Sequence, residues 1–451
     1  MKIRDIARRA SQRIADRIVE LRGYTPTDRN LYYMCVEIIP IGIAMGAIAF
    51  NGPMVLKLGG SNSLLGAMSS LPALMIILFT FPAARFMDSM RDTQRRKNWV
   101  VGSLALSRMA YLFIMLVPWL LPPAWAAVAI VTIVILQSVP LALFNTAWAV
   151  IIADVCPPNR RSALFAMRLT LVSASMALGS FLSGFFLDAV PFPLNHQLLN
   201  FISFLLAQYS TYFILKIEFP EPFTTVKTQI EAIGKRVRPS VHELLNNARA
   251  FVHEHRSYVN FNIVTLICWI GAWGAAPIYT IYFVNELHLS NSWIGLNSTI
   301  AQIAMMVSAQ LWTRLISRKG DFWVVLRTVL LTGMYPLIIV LIPWPSAILA
   351  FGFLNTLNDT GLGITHAGLF YAIIPPEKRN SFVAFYSILM NVGAMLAPLA
   401  AAPLADWSSA AKVLLICAAF RFGGSLLFWV LPPKPPMTDE SQIQSQVTTQ
   451  A

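Results

Sequence analysis

SNSLLGAMSS, Ser61 to Ser70, returns as SNSWIGLNST, Ser290 to Thr299, 229 positions later. The two stretches share Ser61/Ser290, Asn62/Asn291, Ser63/Ser292, Gly66/Gly295 and Ser69/Ser298, and the same offset brings Arg85 onto Arg314. Further out, WVV at Trp99 to Val101 pairs with WVV at Trp323 to Val325 at an offset of 224, and DVCPPNRRSALFA pairs with AIIPPEKRNSFVA at an offset of 218. This last register joins Pro157/Pro375, Pro158/Pro376, Arg161/Arg379 and Ala166/Ala384, and it carries Asp188 onto Asp406. An offset that changes between segments and holds along them marks a unit copied once, with its loops trimmed.

Composition says what kind of unit this is. The chain is 56% hydrophobic and 12% charged, about half the charge of a water-soluble domain. Its apolar runs are each near the roughly 20 residues that cross about 30 Å of hydrocarbon as a helix. Twelve such runs are predicted, at 31–56, 62–85, 98–120, 124–153, 161–190, 195–218, 258–287, 291–316, 321–342, 346–374, 380–406 and 409–431. The expected fold is an all-α membrane protein of twelve transmembrane helices in two six-helix repeats. Six spans separate the copies, an even number, so both point the same way and are related by an axis along the membrane normal. The expected organisation is a cytoplasmic amphipathic segment at 1–30, a first half at 31–218, a cytoplasmic central loop at 219–257, a second half at 258–431 and a disordered tail at 432–451. The Arg-rich start, with Ile3, Ile6, Ile14 and Ile18 near helical spacing, reads as a helix on the membrane surface or as a frayed start. The central loop, with Ile230, Ile233, Val237 and Val241, reads as amphipathic.

The net charge of +13 does not point to nucleic acid, because Lys and Arg alternate in density from one loop to the next. One set of loops holds Arg85, Arg91, Arg95, Arg96 and Lys97, then Arg160 and Arg161, then Arg314, Arg318, Lys319, Lys378 and Arg379. The other set offers only Lys57 and Lys412. The positive-inside rule then places both termini in the cytoplasm of a plasma or inner membrane. Cys35, Cys156, Cys268 and Cys417 lie singly on separate segments, without metal or redox spacing. There is no Walker loop, no G-x-S-x-G and no His/Cys metal spacing, so neither an enzyme nor a cofactor or metal is expected.

From about residue 31 to 431 the chain resembles the major facilitator superfamily. That family's loop motif between helices 2 and 3 reads G-x-x-x-D-[RK]-x-G-[RK]-[RK]. Here Asp88 and the basic cluster Arg95, Arg96 and Lys97 match, while Ala84 and Arg91 stand where glycines belong. In the second half Arg318, Lys319 and Gly320 fit and Ser317 replaces the acid. The resemblance implies a cytoplasmic latch of Asp88 and Arg91, in which Asp88 faces the positive N-terminal end of helix 11 after Pro375 and Pro376. The alternative is a solvated turn that sets topology. Two antiporter signals are absent or altered. Helix 4 lacks an arginine, and helix 5 carries Ser175, Gly179, Ser180, Ser183 and Gly184 without the expected proline.

The resemblance also implies a substrate near the midplane, with walls from helices 1, 4, 7 and 10. In helix 10, Asn355, Asn358, Asp359 and His366 follow helical spacing, and Asn355, Asp359 and His366 share one face. An acid at that depth costs about 2.5–3.5 kcal/mol on insertion scales, so Asp359 is expected to be paired, protonated or facing water. It is a candidate proton or substrate site, or else a buried acid that joins helices. On helix 1, Glu37 and Asn51 lie near one face, and Glu37 can take a proton, pair with Arg168 of helix 5 or snorkel to the interface. Helix 4 offers Gln137, Asn145 and Trp148, and helix 7 offers Trp269 and Trp273 one turn apart, as cavity walls or as packing. Arg108 and Arg421 fall on peripheral helices and read as structural.

The expectation is a secondary active transporter that moves a small organic solute by alternating access, with protons as a possible coupling ion. Membrane lipids are its other partners, nucleic acid is not one, and a monomer is expected. The alternative is a transporter-shaped scaffold that binds a lipid, a pigment or a membrane protein without turnover.

Overall fold

Three membrane helices of this protein break just ahead of a proline. The structure, a computed structural model, describes residues 25–90, 92–218, 255–374 and 379–431. The first helix, α1, runs Pro26–Lys57 in the pieces Pro26–Val36, Ile38–Ile48 and Asn51–Lys57. Its breaks fall three or four residues ahead of Pro40 and Pro53. A proline has no N–H for the carbonyl four residues back, and its ring presses on that carbonyl. The same spacing recurs in α4, where Pro123–Leu136 and Ser138–Val155 part ahead of Pro140, and in α9, where Asp321–Leu331 and Met334–Leu341 part ahead of Pro336.

The remaining rods are α2 (Asn62–Asp88), α3 (Thr93–Leu120), α5 (Pro158–Ala189), α6 (Leu194–Leu215), α7 (Arg256–Ile281 with a π-turn at Tyr282–Glu286), α8 (Asn291–Lys319), α10 (Pro345–Ile373), α11 (Arg379–Trp407) and α12 (Ala410–Val430). The described residues thus form twelve helical rods and no strand. Ten are long and apolar enough to cross a membrane. The other two, α8 and α10, are 29 residues each. They have the length for a crossing but carry more polar side chains.

α1 begins five residues before the predicted span. Thr25 caps it by accepting the Asp28 N–H at 3.1 Å, and Pro26 occupies the first turn. The charges there do not keep the helix short, because they are paired. Arg29 meets Glu218 at 2.7 Å and Arg160 meets Asp28 at 2.6 Å. The predicted surface helix, most of the central connection (219–254) and the tail lie outside the described residues.

The chain divides into two compact units. The first holds the described residues up to 218, together with Pro277–Met306 of α7 and α8 and Pro398–Ala410 of α11. Within it, α1 lies along α5, α6 covers α3 and α1, and α2 lies on α4. The α1–α5 approach is close because glycines face it. A Cβ on Gly179 would sit 2.2 Å from the Ile43 carbonyl oxygen, and one on Gly46 would sit 2.5 Å from that of Met176. Without a hydrophobic force between helices in lipid, such small-residue stripes let backbones approach and gain dispersion. The second unit comprises residues 255–276, Val307–Ala397 and the chain from Ala411. Here α9 lies along α10, and Trp312 of α8 covers Gly361 of α10 while its indole N–H donates to the Leu357 carbonyl at 2.7 Å.

Candidate functional site

In the first unit, the expected partners Glu37 and Arg168 come together with Trp148. Glu37 stands at the α1 break made by Pro40, and α5 brings Arg168 to it, with Nη2 2.8 Å from Glu37 Oε1. The guanidinium also donates to the Met34 carbonyl and lies 5.4 Å from the Trp148 ring, which stacks on Phe144 one turn away. Ser210 of α6 donates to the other Glu37 oxygen at 2.8 Å. Glu37 is 3% exposed and Arg168 12%. The acid therefore does not snorkel: both of its oxygens are bonded inside the protein. A pair this deep is costly to desolvate, and it persists only because charge and hydrogen bonds are both satisfied.

In the second unit, Asp359 sits midway along α10 and accepts from two donors. Arg421 Nη2 of α12 is 3.1 Å from its Oδ1 and 3.3 Å from its Oδ2, and Asn355 Nδ2, one turn earlier on α10, is 3.0 Å from Oδ2. The two partners differ in burial: the Asp359 side chain is 37% exposed and that of Arg421 6%. Sequence reading set Arg421 aside because the resemblance places helix 12 at the periphery. The signal was an arginine inside a 21-residue apolar helix, a residue that needs a partner at that depth.

His366 shares the α10 face of Asp359 but has other company. Its Nε2 is 3.0 Å from Thr265 Oγ1 of α7, and its ring stacks on Phe261 at 4.6 Å, with Trp269 and Tyr386 at 6.1 and 6.2 Å. Trp269 and Trp273 stack on each other at 5.9 Å, so α7 and α10 form an aromatic wall. Asn358 turns away from it and donates to the Thr328 carbonyl of α9 at 2.9 Å, a helix-joining bond.

The other predicted residues are scattered through the first unit. Asn51 is buried and accepts from Asn200 of α6 at 3.1 Å. Gln137 occupies the α4 break, where its carbonyl accepts from Ser107 at 3.0 Å, and Asn145 is exposed. Arg108 joins α3 to α6 by donating to the Ala207 carbonyl and Thr211, each at 2.6 Å. Of the predicted latch, Arg91, Pro375 and Pro376 lie outside the described residues, as does the side chain of Asp88.

The repeated decapeptide builds a second arrangement at the arginine-poor end of the first unit. Ser61 and Ser290 cap α2 and α8, each hydroxyl accepting an N–H three residues on at 3.2 Å. The next free N–H groups go to a carboxylate from the other repeat. Asn291 N–H and Ser292 N–H donate to Asp188 of α5 at 3.0 and 2.7 Å, and Asn291 Nδ2 adds a bond of 2.7 Å. Asn62 N–H and Ser63 N–H donate to Asp406 of α11 at 3.3 and 3.2 Å, and the Ser63 hydroxyl adds one of 2.5 Å. A carboxylate at a helix N-terminus meets both free donors and the positive end of the dipole.

The repeated glycine brings each helix within reach of its acid. A Cβ on Gly295 would lie 2.4 Å from the Ser180 carbonyl oxygen of α5, and one on Gly66 would lie 2.5 Å from Ala402 Cβ of α11. Around these clamps, Lys57 donates to Asn291 at 3.1 Å, and Glu286 accepts from the first N–H of α12, that of Ala410.

The Major Facilitator Superfamily model matches residues 35–253 and 261–449. No curated protein matches the sequence. Among solved structures, a bacterial homologue of the iron transporter ferroportin in an inward-facing state is similar over 90% of this chain and 99% of its own, at 13% identity and a TM-score of 0.68. An auto-inhibited POT family peptide transporter is similar over 91% and 98%, at 12% identity and a TM-score of 0.64. A mutant of the nucleoside transporter NupG is similar over 89% and 100%, at 14% identity and a TM-score of 0.63. At such identities these likenesses speak for the fold.

Proposed function

The chain belongs to the Major Facilitator Superfamily, a family of multi-pass membrane transporters, and on that premise we propose that it is a secondary active transporter moving a small organic solute by alternating access. The observation that carries this reading is the Asp359–Arg421 pair, with a guanidinium 6% exposed and a carboxylate 37% exposed. An intramembrane ion pair is expensive as a structural joint. One whose acid stays open is placed to exchange partners. A proton that neutralises Asp359 frees Arg421 to hold an anionic group of the solute, and loss of the proton restores the pair. The aromatic wall of Trp269, Trp273 and His366 suits a solute with an apolar or planar body. On the other side of the comparison, Glu37 and Arg168 are nearly closed off and hold α1, α5 and α6 together.

Alternating access needs an end that can close and reopen. The positive-inside pattern makes the arginine-poor end the outer one, with both termini cytoplasmic. The two carboxylate clamps suit an outer closure, because every bond in them can be replaced by water when the helices separate.

The test is solute flux in proteoliposomes across a broad panel under an imposed pH gradient, with Asp359→Asn beside wild type. Gradient-driven flux is expected to fall about tenfold or more in the variant, since a hydrogen bond to a charge is worth about 1.5–3 kcal/mol. Full retention of gradient-driven flux in Asp359→Asn would end the coupling role. If wild type moves no solute under any gradient, the scaffold reading takes the place of transport.

A further inference from the structure

A groove of about 570 Å³ opens between α2, α3 and α4 in the first unit. Phe79 and Phe86 form one wall, Trp99 and Leu106 a second, and Pro140 and Leu143 a third. Two features of the sequence make the space. Pro140 interrupts α4, and Gly102 leaves the floor bare, since a Cβ there would meet nothing within 4 Å. Ser103, the one hydroxyl in the lining, already donates to the Val100 carbonyl at 2.8 Å. Apart from the Trp99 indole N–H, the groove therefore has no side-chain polar group to offer, and only hydrocarbon fits it.

Its arginine-rich mouth is different. Arg96 is committed to the α2–α3 turn, donating to the Met87 and Met90 carbonyls at 2.8 and 2.9 Å. Arg85 is exposed and turned away from the groove, its guanidinium 4.3 Å from the ring of Phe81, which is not among the lining residues. Arg95 is exposed one turn before Trp99. Trp99 meets Phe86 edge-on at 5.1 Å, which sets an indole at the arginine-bearing end of the groove, the level that tryptophan favours in a bilayer. An apolar slot with an exposed guanidinium one turn beyond its Trp99 end matches one kind of molecule: an acyl chain carrying a negative headgroup.

We propose that this groove binds one acyl chain of an anionic phospholipid, whose phosphate is held by Arg95. The site is independent of the transported solute. The test uses the full chain in phosphatidylcholine nanodiscs, titrated with phosphatidylglycerol bearing brominated acyl chains. The fluorescence quenching lost on Trp99→Phe isolates the groove. Brominated phosphatidylglycerol is expected to half-saturate Trp99 quenching at a mole fraction at least about fivefold below that of brominated phosphatidylcholine, as basic residues at a lipid surface predict. Arg95→Gln should reduce that preference to near unity, and Gly102→Leu, which fills the floor, should abolish saturable quenching by both lipids. Equal quenching by the two lipids in wild type, a preference that survives Arg95→Gln, or saturable quenching that survives Gly102→Leu would each overturn the proposal.

Discussion

The two clamps at the arginine-poor end are built from matched positions of the two repeats, whereas the two intramembrane ion pairs are not. Ser61, Asn62, Ser63 and Gly66 do for α2 what Ser290, Asn291, Ser292 and Gly295 do for α8, and Asp406 and Asp188 exchange roles with them. By contrast, the repeat partner of Arg168 is Tyr386, and that of Asp359 is Leu141. One pair joins α1 to α5 and the other joins α10 to α12. A contact between the copies comes twice when a gene segment is duplicated, and it survives only if both versions remain usable. Groups that recognise an asymmetric solute are under the opposite demand and must diverge.

Breaking the closed pair should have the largest effect on stability. Glu37→Ala leaves the Arg168 guanidinium buried and unpaired, and unfolding in detergent is expected to show a loss of about 3 kcal/mol, the lower range for a broken buried pair. Adding Arg168→Met should recover part of it. If Glu37→Ala costs no more than a surface substitution, the pair is not closed as described.

The glycines come next. Gly66→Leu and Gly295→Leu each force a side chain into backbone at the clamp and should each cost about 2 kcal/mol by overpacking. Gly102→Ala, facing open space, should change little. Unequal costs at the two matched glycines would break the equivalence of the clamps.

The carboxylates give the smallest and most specific effect. Asp188→Asn and Asp406→Asn each remove a charge from a helix N-terminus and should weaken closure by about 1 kcal/mol. The readout is alkylation of a cysteine introduced at Asn285, a residue bonded to Asn62 at 3.4 Å. It should quicken in each single variant and more in the double. An unchanged rate would reduce the clamps to static joints.

Much of the fold was legible because its signals are local. The apolar runs and the shifting offsets between the repeats each lie within one segment or in the comparison of two. The start of α1 was missed because Asp28 and Arg29 look too polar for a membrane helix, and their partners, Arg160 and Glu218, are more than a hundred residues away. The aromatic environment of His366 and the helix-joining bond of Asn358 were hidden for a similar reason. Spacing along α10 tells which residues share a face, but not which helix that face meets.

Taken alone, the amino-acid sequence determined a duplicated six-helix membrane unit with a repeated Ser-Asn-Ser and a glycine three residues after it in each copy. These follow from backbone hydrogen bonding and hydrophobic length, which act over a few residues. Only the tertiary structure decided that Asp188 reaches α8, that Asp406 reaches α2, and that Arg421 rather than any residue of α10 itself neutralises Asp359. A buried charge must find its partner in space, and in this chain those partners stand 62 to more than 300 positions apart.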